Sequence, residues 1–308
     1  MFCWNYLVTC QRETIMIQND FLRKLLEEPL GLAFGSGNLL EVTSSSNKEN
    51  TENQSLSQIE PGIRLRAGQR LVAEEIRKQE NIEDIIRRTD ALLSADNDNQ
   101  GNNEDVNRGW ISNFLEGAGK TYDDNLKDYW AKLLAGEIRR PGSNSLRTLE
   151  VLKNISYEEA KLFEEMSGLV FVQDEMSFIF KDDNKYGINY YNLSKLQEVG
   201  LLRTGEGATY TIKASKVNTK YTSNYVCGNK YITLTTEPDT KDIAVPVHLL
   251  TQAGCELCEL TNHKDNMGYL KDFAAFVRKT NPTASIQYGD IIERIGHKIR
   301  CSTPLVDL

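Results

Sequence analysis

The feature that most constrains this chain is a single change of hydrophobic period at Gly168. Before it, apolar residues recur at helical spacing. After it, short alternating runs are interleaved with short helical ones. A chain patterned in this way predicts an α+β fold, with a helical front and a mixed rear.

The clearest helical pattern covers Tyr122 to Ile138. Leu126, Trp130, Leu133, Leu134 and Ile138 fall on one face at i, i+4, i+7, i+8 and i+12. Asp128 and Lys132 fall on the other, as a favourable i,i+4 pair. Pro141 and Gly142 stop the helix. Upstream, Arg66 to Leu93 carries Leu71, Val72, Ile76, Ile82, Ile85, Ile86, Leu92 and Leu93 as apolar positions. Gln79 to Asn81 is a candidate break in it, with Asn81 capping a second helix. Trp110 to Leu115 opens another helix. Ser145 caps one with Leu146, Leu149, Leu152 and Ile155 inward, and Ser156 with Glu159 forms a capping box for the next, which carries Ala160, Phe163 and Met166. Residues 66–168 are thus expected to form a helical bundle.

Beyond Gly168, strands are expected at Leu169–Gln173, Ser177–Phe180, Ala208–Lys213, Lys230–Thr236 and Ile243–Val247, with edge strands at Ser285–Tyr288 and Lys298–Ser302. Helices are expected at Asn192–Val199, where Gly200 takes the C′ position, and at Leu249–Leu260 and Asn266–Lys279. Residues 169–308 form the second expected domain, a winged-helix-like α+β module.

Residues 1–65 read as an N-terminal arm and flexible linker. Met1 to Cys10 is apolar, but its run ends at Gln11 and Arg12, far short of the ~20 residues of a membrane span. It also lacks the basic n-region of a signal peptide. Because Met16 begins a more ordinary helical start, residues 1–15 read as an upstream extension outside the native protein. Asn19 to Glu28 is a short amphipathic helix that could pack on its own bundle or pair between chains. Leu30 to Leu40 is a glycine-rich apolar segment, read as a buried loop since it carries no Lys or Arg for a lipid surface. Val42–Gln58 and Ser94–Asn107 are polar and have little to bury, so they read as flexible or solvent-exposed segments.

Composition narrows function more than it identifies it. The net charge of −8 over 308 residues argues against a surface built throughout for nucleic acid, without excluding a local basic patch. Six sparse cysteines suit free thiols in a reducing cytoplasm and not a disulfide scaffold.

Several tempting motifs fail on physical grounds. Glu116–Thr121 ends like a phosphate-binding loop, but Phe114 stands where the first glycine belongs and no buried strand precedes it. Gly117 and Gly119 instead read as a helix end and turn. Cys255 and Cys258 have the spacing of a zinc half-site, yet lie on a predicted helix without a second pair nearby. Cys227, His263, His297 and Cys301 would complete a site only through tertiary folding. The chain has three histidines, His248, His263 and His297, and neither a Gly-x-Ser-x-Gly elbow nor a His-Glu-x-x-His motif. Asp123 and Asp124 suit a helix N-terminus, and Asp182 and Asp183 a polar turn. No catalytic residue, metal or cofactor is expected, although an enzyme whose site assembles from distant residues stays open.

One run points towards nucleic acid. Leu193 to Arg203 followed by strands resembles a winged-helix element, and Leu250–Leu257 resembles a segment that follows such wings. Lys195, Arg203, Lys213, Lys216 and Lys220 are the candidate phosphate contacts. Lys195 is the only cation on the candidate recognition helix, and no arginine there is placed to read guanine.

Lys78–Ile86, Trp110, Phe114, Leu126 to Ile138, Pro141–Gly142, Ser145–Leu149 and Ser156–Ala160 together resemble the bacterial domain-of-unknown-function 2806 family, and more distantly the bacterial abortive-infection alpha family. The resemblance is specific over residues 66–170, looser towards the C-terminus and weak over residues 1–60. It implies a bacterial cytoplasmic protein of a defence or mobile locus, and it carries over no catalytic residue. The expectation is a non-enzymatic protein that binds another protein, with a nucleic-acid-binding regulator as the alternative.

Overall fold

The computed structural model describes Leu22 and residues 61–95, 106–173, 176–182, 184–203, 208–213, 219–238, 240–295 and 298–308. Leu22, helical and buried, is the described residue of the expected Asn19–Glu28 helix. The other arm and linker segments, most of the Ser94–Asn107 loop, Lys216 and His297 lie outside the described residues. The described elements are mixed α and β, and the chain divides into two compact units, one ending at Gly142 and the other spanning Ser143–Leu308.

The first unit holds α1 (Pro61–Ala95), α2 (Arg108–Gly119) and α3 (Asp124–Arg139). Asn107 caps α2 and Asp123 caps α3, each side chain accepting two backbone N–H bonds that would otherwise be orphaned. The five apolar positions expected to face inward on α3 are all buried. They meet Ile82, Ile85 and Ile86 of α1 and Trp110, Ile111 and Phe114 of α2 in one core. Phe114 stacks on Trp110 and meets Trp130 edge-on, both at 5.4 Å between ring centroids.

One expectation changes here, and one expected acid has a further partner. Helix α1 runs unbroken through Gln79–Asn81, and Asn81 caps nothing within it. Its side chain donates to the Gly119 carbonyl at 3.0 Å, satisfying an open carbonyl at the end of α2. Asp128 reaches Arg88 at 2.7 Å, because packing of α1 on α3 offers a fork that also bonds Asp84 and Asp124.

The second unit begins with α4 (Leu146–Asn154) and α5 (Tyr157–Ser167). Ser145 caps α4, and Ser156 with Glu159 forms the expected capping box. Leu149, Leu152 and Ile155 are buried, but Leu146 is exposed, since the first turn of α4 faces outward. These two helices, grouped by sequence with the front bundle, contact α7 (Gln252–Leu260) and α6 (Tyr190–Glu198).

The strands are β1 (Val170–Gln173), β2 (Met176–Phe180), β3 (Thr209–Ile212), β4 (Tyr221–Cys227), β5 (Lys230–Thr236), β6 (Ile243–Leu249), β7 (Ser285–Ile295), β8 (Lys298–Cys301) and β9 (Val306–Asp307). All pair antiparallel in one sheet of order β3-β6-β2-β1-β4-β5-β7-β8, with β9 beside β7. Strand β7 was expected at an edge but lies inside the sheet, paired with β5, β8 and β9. Strand β4 had escaped notice because its buried face is Ser223, Tyr225 and Cys227, which reads as polar.

Helix α8 (Met267–Thr280) covers the aromatic core. Phe273 sits 4.5 Å from Phe171 and 5.5 Å from Phe180 between centroids. The buried Tyr269 hydroxyl accepts the Phe180 N–H at 2.6 Å and donates to its carbonyl at 3.2 Å, satisfying the last residue of β2.

Candidate functional site

Helix α6 was the candidate recognition helix, and its entry is tightly built. Asn184 and Tyr186 have left-handed φ values of 60° and 55°, followed by Gly187 at 77°. Left-handed backbone is costly for a tyrosine. The Tyr186 hydroxyl donates to Asp272 of α8 at 2.7 Å, and Lys185 reaches the same oxygen at 3.0 Å. These two bonds, the tyrosine's first, hold Asp272 below the usual aspartate value. Asn189 then caps α6 by accepting the Asn192 N–H, and Gly200 (φ 87°) ends it in the expected C′ role.

This anchored entry leaves Tyr190 and Tyr191 outside, 87% and 65% exposed. One turn on, the Lys195 ammonium lies 4.5 Å from the Tyr191 ring centroid. A hydrogen bond with the Tyr191 side chain, and then the charges of Glu159 and Glu158 on α5, hold Lys195 above its ordinary pKa. The half-exposed Tyr157 directly precedes those two acids. The surface is therefore aromatic and of mixed charge. Sequence reasoning missed the tyrosines, because an adjacent apolar pair on a helix, like the buried Leu133 and Leu134 of α3, reads as core as readily as surface.

The other candidate cations lie elsewhere. Arg203 donates its backbone N–H to Leu249 at 2.8 Å and its Nε to the Leu250 carbonyl at 3.1 Å. It thereby ties the segment after α6 to the corner between β6 and α7. Lys213 is exposed just past β3, the edge strand. Lys220 pairs with Glu237 at 2.7 Å. Lys230, at the start of β5, is paired with Asp265 at 3.2 Å and with Asp290. Strands β3 and β4 do not form a hairpin with each other. Four strand-to-strand steps separate them in the sheet order. Lys213 and Lys220 stand at the two ends of the β3–β4 connection, whose residues 214–218 lie outside the described residues.

The remaining motifs have structural settings. Gly117 and Gly119 lie in the last turn of α2, and Lys120 pairs with Glu116 at 2.9 Å. Cys255 and Cys258 lie inside α7, and burial raises the Cys255 thiol and the nearby Cys227 thiol above the ordinary value. Burial thus disfavours the thiolate that metal binding or nucleophilic attack requires. His263 Nδ1 lies 3.3 Å from both Thr261 Oγ1 and Ser167 Oγ. Among the described residues, no group of three or more His, Cys, Asp or Glu side chains is gathered as a metal ion would need. No helix among them is long and apolar enough to cross a membrane.

These features define an α+β protein with a wide antiparallel sheet and an exposed aromatic-cationic helix start. The chain belongs to the family described as "Protein of unknown function (DUF2806)", whose model matches residues 65–274. Comparison with curated proteins and with solved structures gave no match.

Proposed function

We propose that this chain is a non-enzymatic protein of the bacterial cytoplasm that binds another protein through the face of α6 and α5 carrying Tyr190, Tyr191, Lys195 and Tyr157. The observation that carries the reading is the exposure of Tyr190 and Tyr191 beside a lysine flanked by Glu158 and Glu159. Tyrosine is enriched at protein interfaces, where a rigid ring contributes apolar contact and the hydroxyl a hydrogen bond. Two carboxylates beside the only lysine of α6 oppose a phosphate backbone, but suit a partner of mixed charge. A role in phage defence or on a mobile element follows from the resemblance to the abortive-infection alpha family.

A second reading, a nucleic-acid-binding regulator, draws on one observation. Strands β3, β6 and β2 are adjacent and α6 precedes β3, a winged-helix-like order in which β4 and β5 occupy the place of a simple wing. Lys195, Arg203, Lys213, Lys216 and Lys220 would be its phosphate contacts.

Fluorescence anisotropy with labelled single- and double-stranded DNA and RNA across a salt series separates the two. The protein-binding reading expects no binding at low salt, and capture of a partner from the native host that Y190A/Y191A abolishes. Micromolar binding with a clear salt slope, weakened by Lys213→Glu with Lys216→Glu, would overturn it in favour of the second reading.

A further inference from the structure

Helix α1 is 35 residues long, yet only its rear part is packed. From residue 62 to residue 80 none is buried, and burial begins at Asn81. The front stretch from Pro61 to Arg77 is about 25 Å long at 1.5 Å per residue. A helix of that length is marginal in water without a packed face.

The stretch nevertheless has an apolar stripe. Leu65, Val72 and Ile76 fall within about 40° of one another around the helix axis. They are 64%, 61% and 54% exposed. In heptad terms Leu65, Val72 and Gln79 take d positions and Gln69 and Ile76 take a positions, the seam of a two-helix coiled coil. Gly68 beside the seam has nothing within 4 Å of where a Cβ would stand, so the neighbouring space is open.

Charge along the stretch is polarised. Arg64, Arg66 and Arg70 are the charged residues from 61 to 73, whereas Glu74, Glu75 and Glu80 follow, with Arg77 and Lys78 among them. Lys78 is already paired with Glu74 and Glu75. A parallel pair of such helices would set arginines against arginines. An antiparallel pair sets the arginine end of each against the glutamate end of the other. A two-fold axis between residues 70 and 71 then places Leu65 in a layer with Ile76 of the second copy and Gln69 with Val72. The apolar seam is self-complementary under that one operation, as an isologous interface requires. The charges are complementary by end, +3 over residues 61–73 against −1 over residues 74–80, with Arg64 in register with Arg77.

We propose that α1 is a homodimerisation element, with residues 62–79 pairing antiparallel with the same residues of a second copy. This does not depend on the α6 surface or on its partner.

Sedimentation velocity of the full chain over a concentration series tests it. The wild-type chain is expected to sediment as a dimer, and L65D/I76D to weaken dimerisation at least tenfold. Mixed Leu65→Cys and Ile76→Cys variants should form a disulfide-linked pair under mild oxidation faster than either alone and faster than the wild-type chain. A dimer that L65D/I76D leaves intact would overturn the proposal. So would a wild-type chain that stays monomeric across the concentration series. Like-with-like cross-linking would overturn the antiparallel arrangement.

Discussion

The Glu256 carboxylate of α7 accepts the Thr148 hydroxyl at 2.5 Å, across more than one hundred residues of sequence. The same oxygen accepts the Ser145 backbone N–H at 2.7 Å, and the other takes Gln252 Nε2 at 2.9 Å. A negative charge is thus held at the N-terminus of α4, where the helix dipole favours it. Bonds to a charged acceptor contribute about 1.5–3 kcal/mol each when a partner is lost. Glu256→Ala is expected to destabilise the chain by about 2–3 kcal/mol in urea unfolding, on the same scale. A cycle with Thr148→Val should show positive coupling; strict additivity would mean that the two do not cooperate.

Gly254 and Gly68 should respond oppositely to alanine. A Cβ at Gly254 would stand 2.2 Å from the Leu201 carbonyl oxygen, which is backbone held in place by Thr251. Gly254→Ala must push α7 away from that segment, at about 3 kcal/mol or more. At Gly68, inside α1, alanine meets open space and should stabilise the helix by about 0.5–1 kcal/mol. Thermal melts of both variants check the pair of signs.

Replacing Tyr190 and Tyr191 together by alanine should leave stability within about 0.5 kcal/mol, as is usual for exposed positions. Affinity for a captured partner should fall at least about tenfold, or about 1.4 kcal/mol. Equal loss of stability and binding would mark the tyrosines as part of the fold.

Acid should expose the role of Asp272. Its folded-state pKa lies below the ordinary 3.8, by its bonds to Tyr186 and Lys185. A depressed carboxylate contributes stability above its unfolded value and loses it as pH falls through the folded one. The wild-type chain should therefore lose stability more steeply than Asp272→Asn on acidification below about pH 4. Parallel stability curves for the two would show that this contact adds nothing to the fold.

Local patterning alone determined where the described helices lie and how most of them begin. Asp123, Ser145, Ser156 and Gly200 act within a few residues of themselves, so their roles are legible in the chain. The inward face of α3 was legible for the same reason, since one helix carries all five buried positions. Strand order was not legible, because pairing joins residues far apart and any of several exposed edges would satisfy the same backbone groups. Tertiary structure alone placed β6 between β3 and β2, and paired Lys220 and Lys230 with acids. It also brought Glu256 to the start of α4 and left Tyr190 and Tyr191 in solvent. Charge summed along a sequence does not reveal which charges meet, because only folding decides which neighbours compensate them.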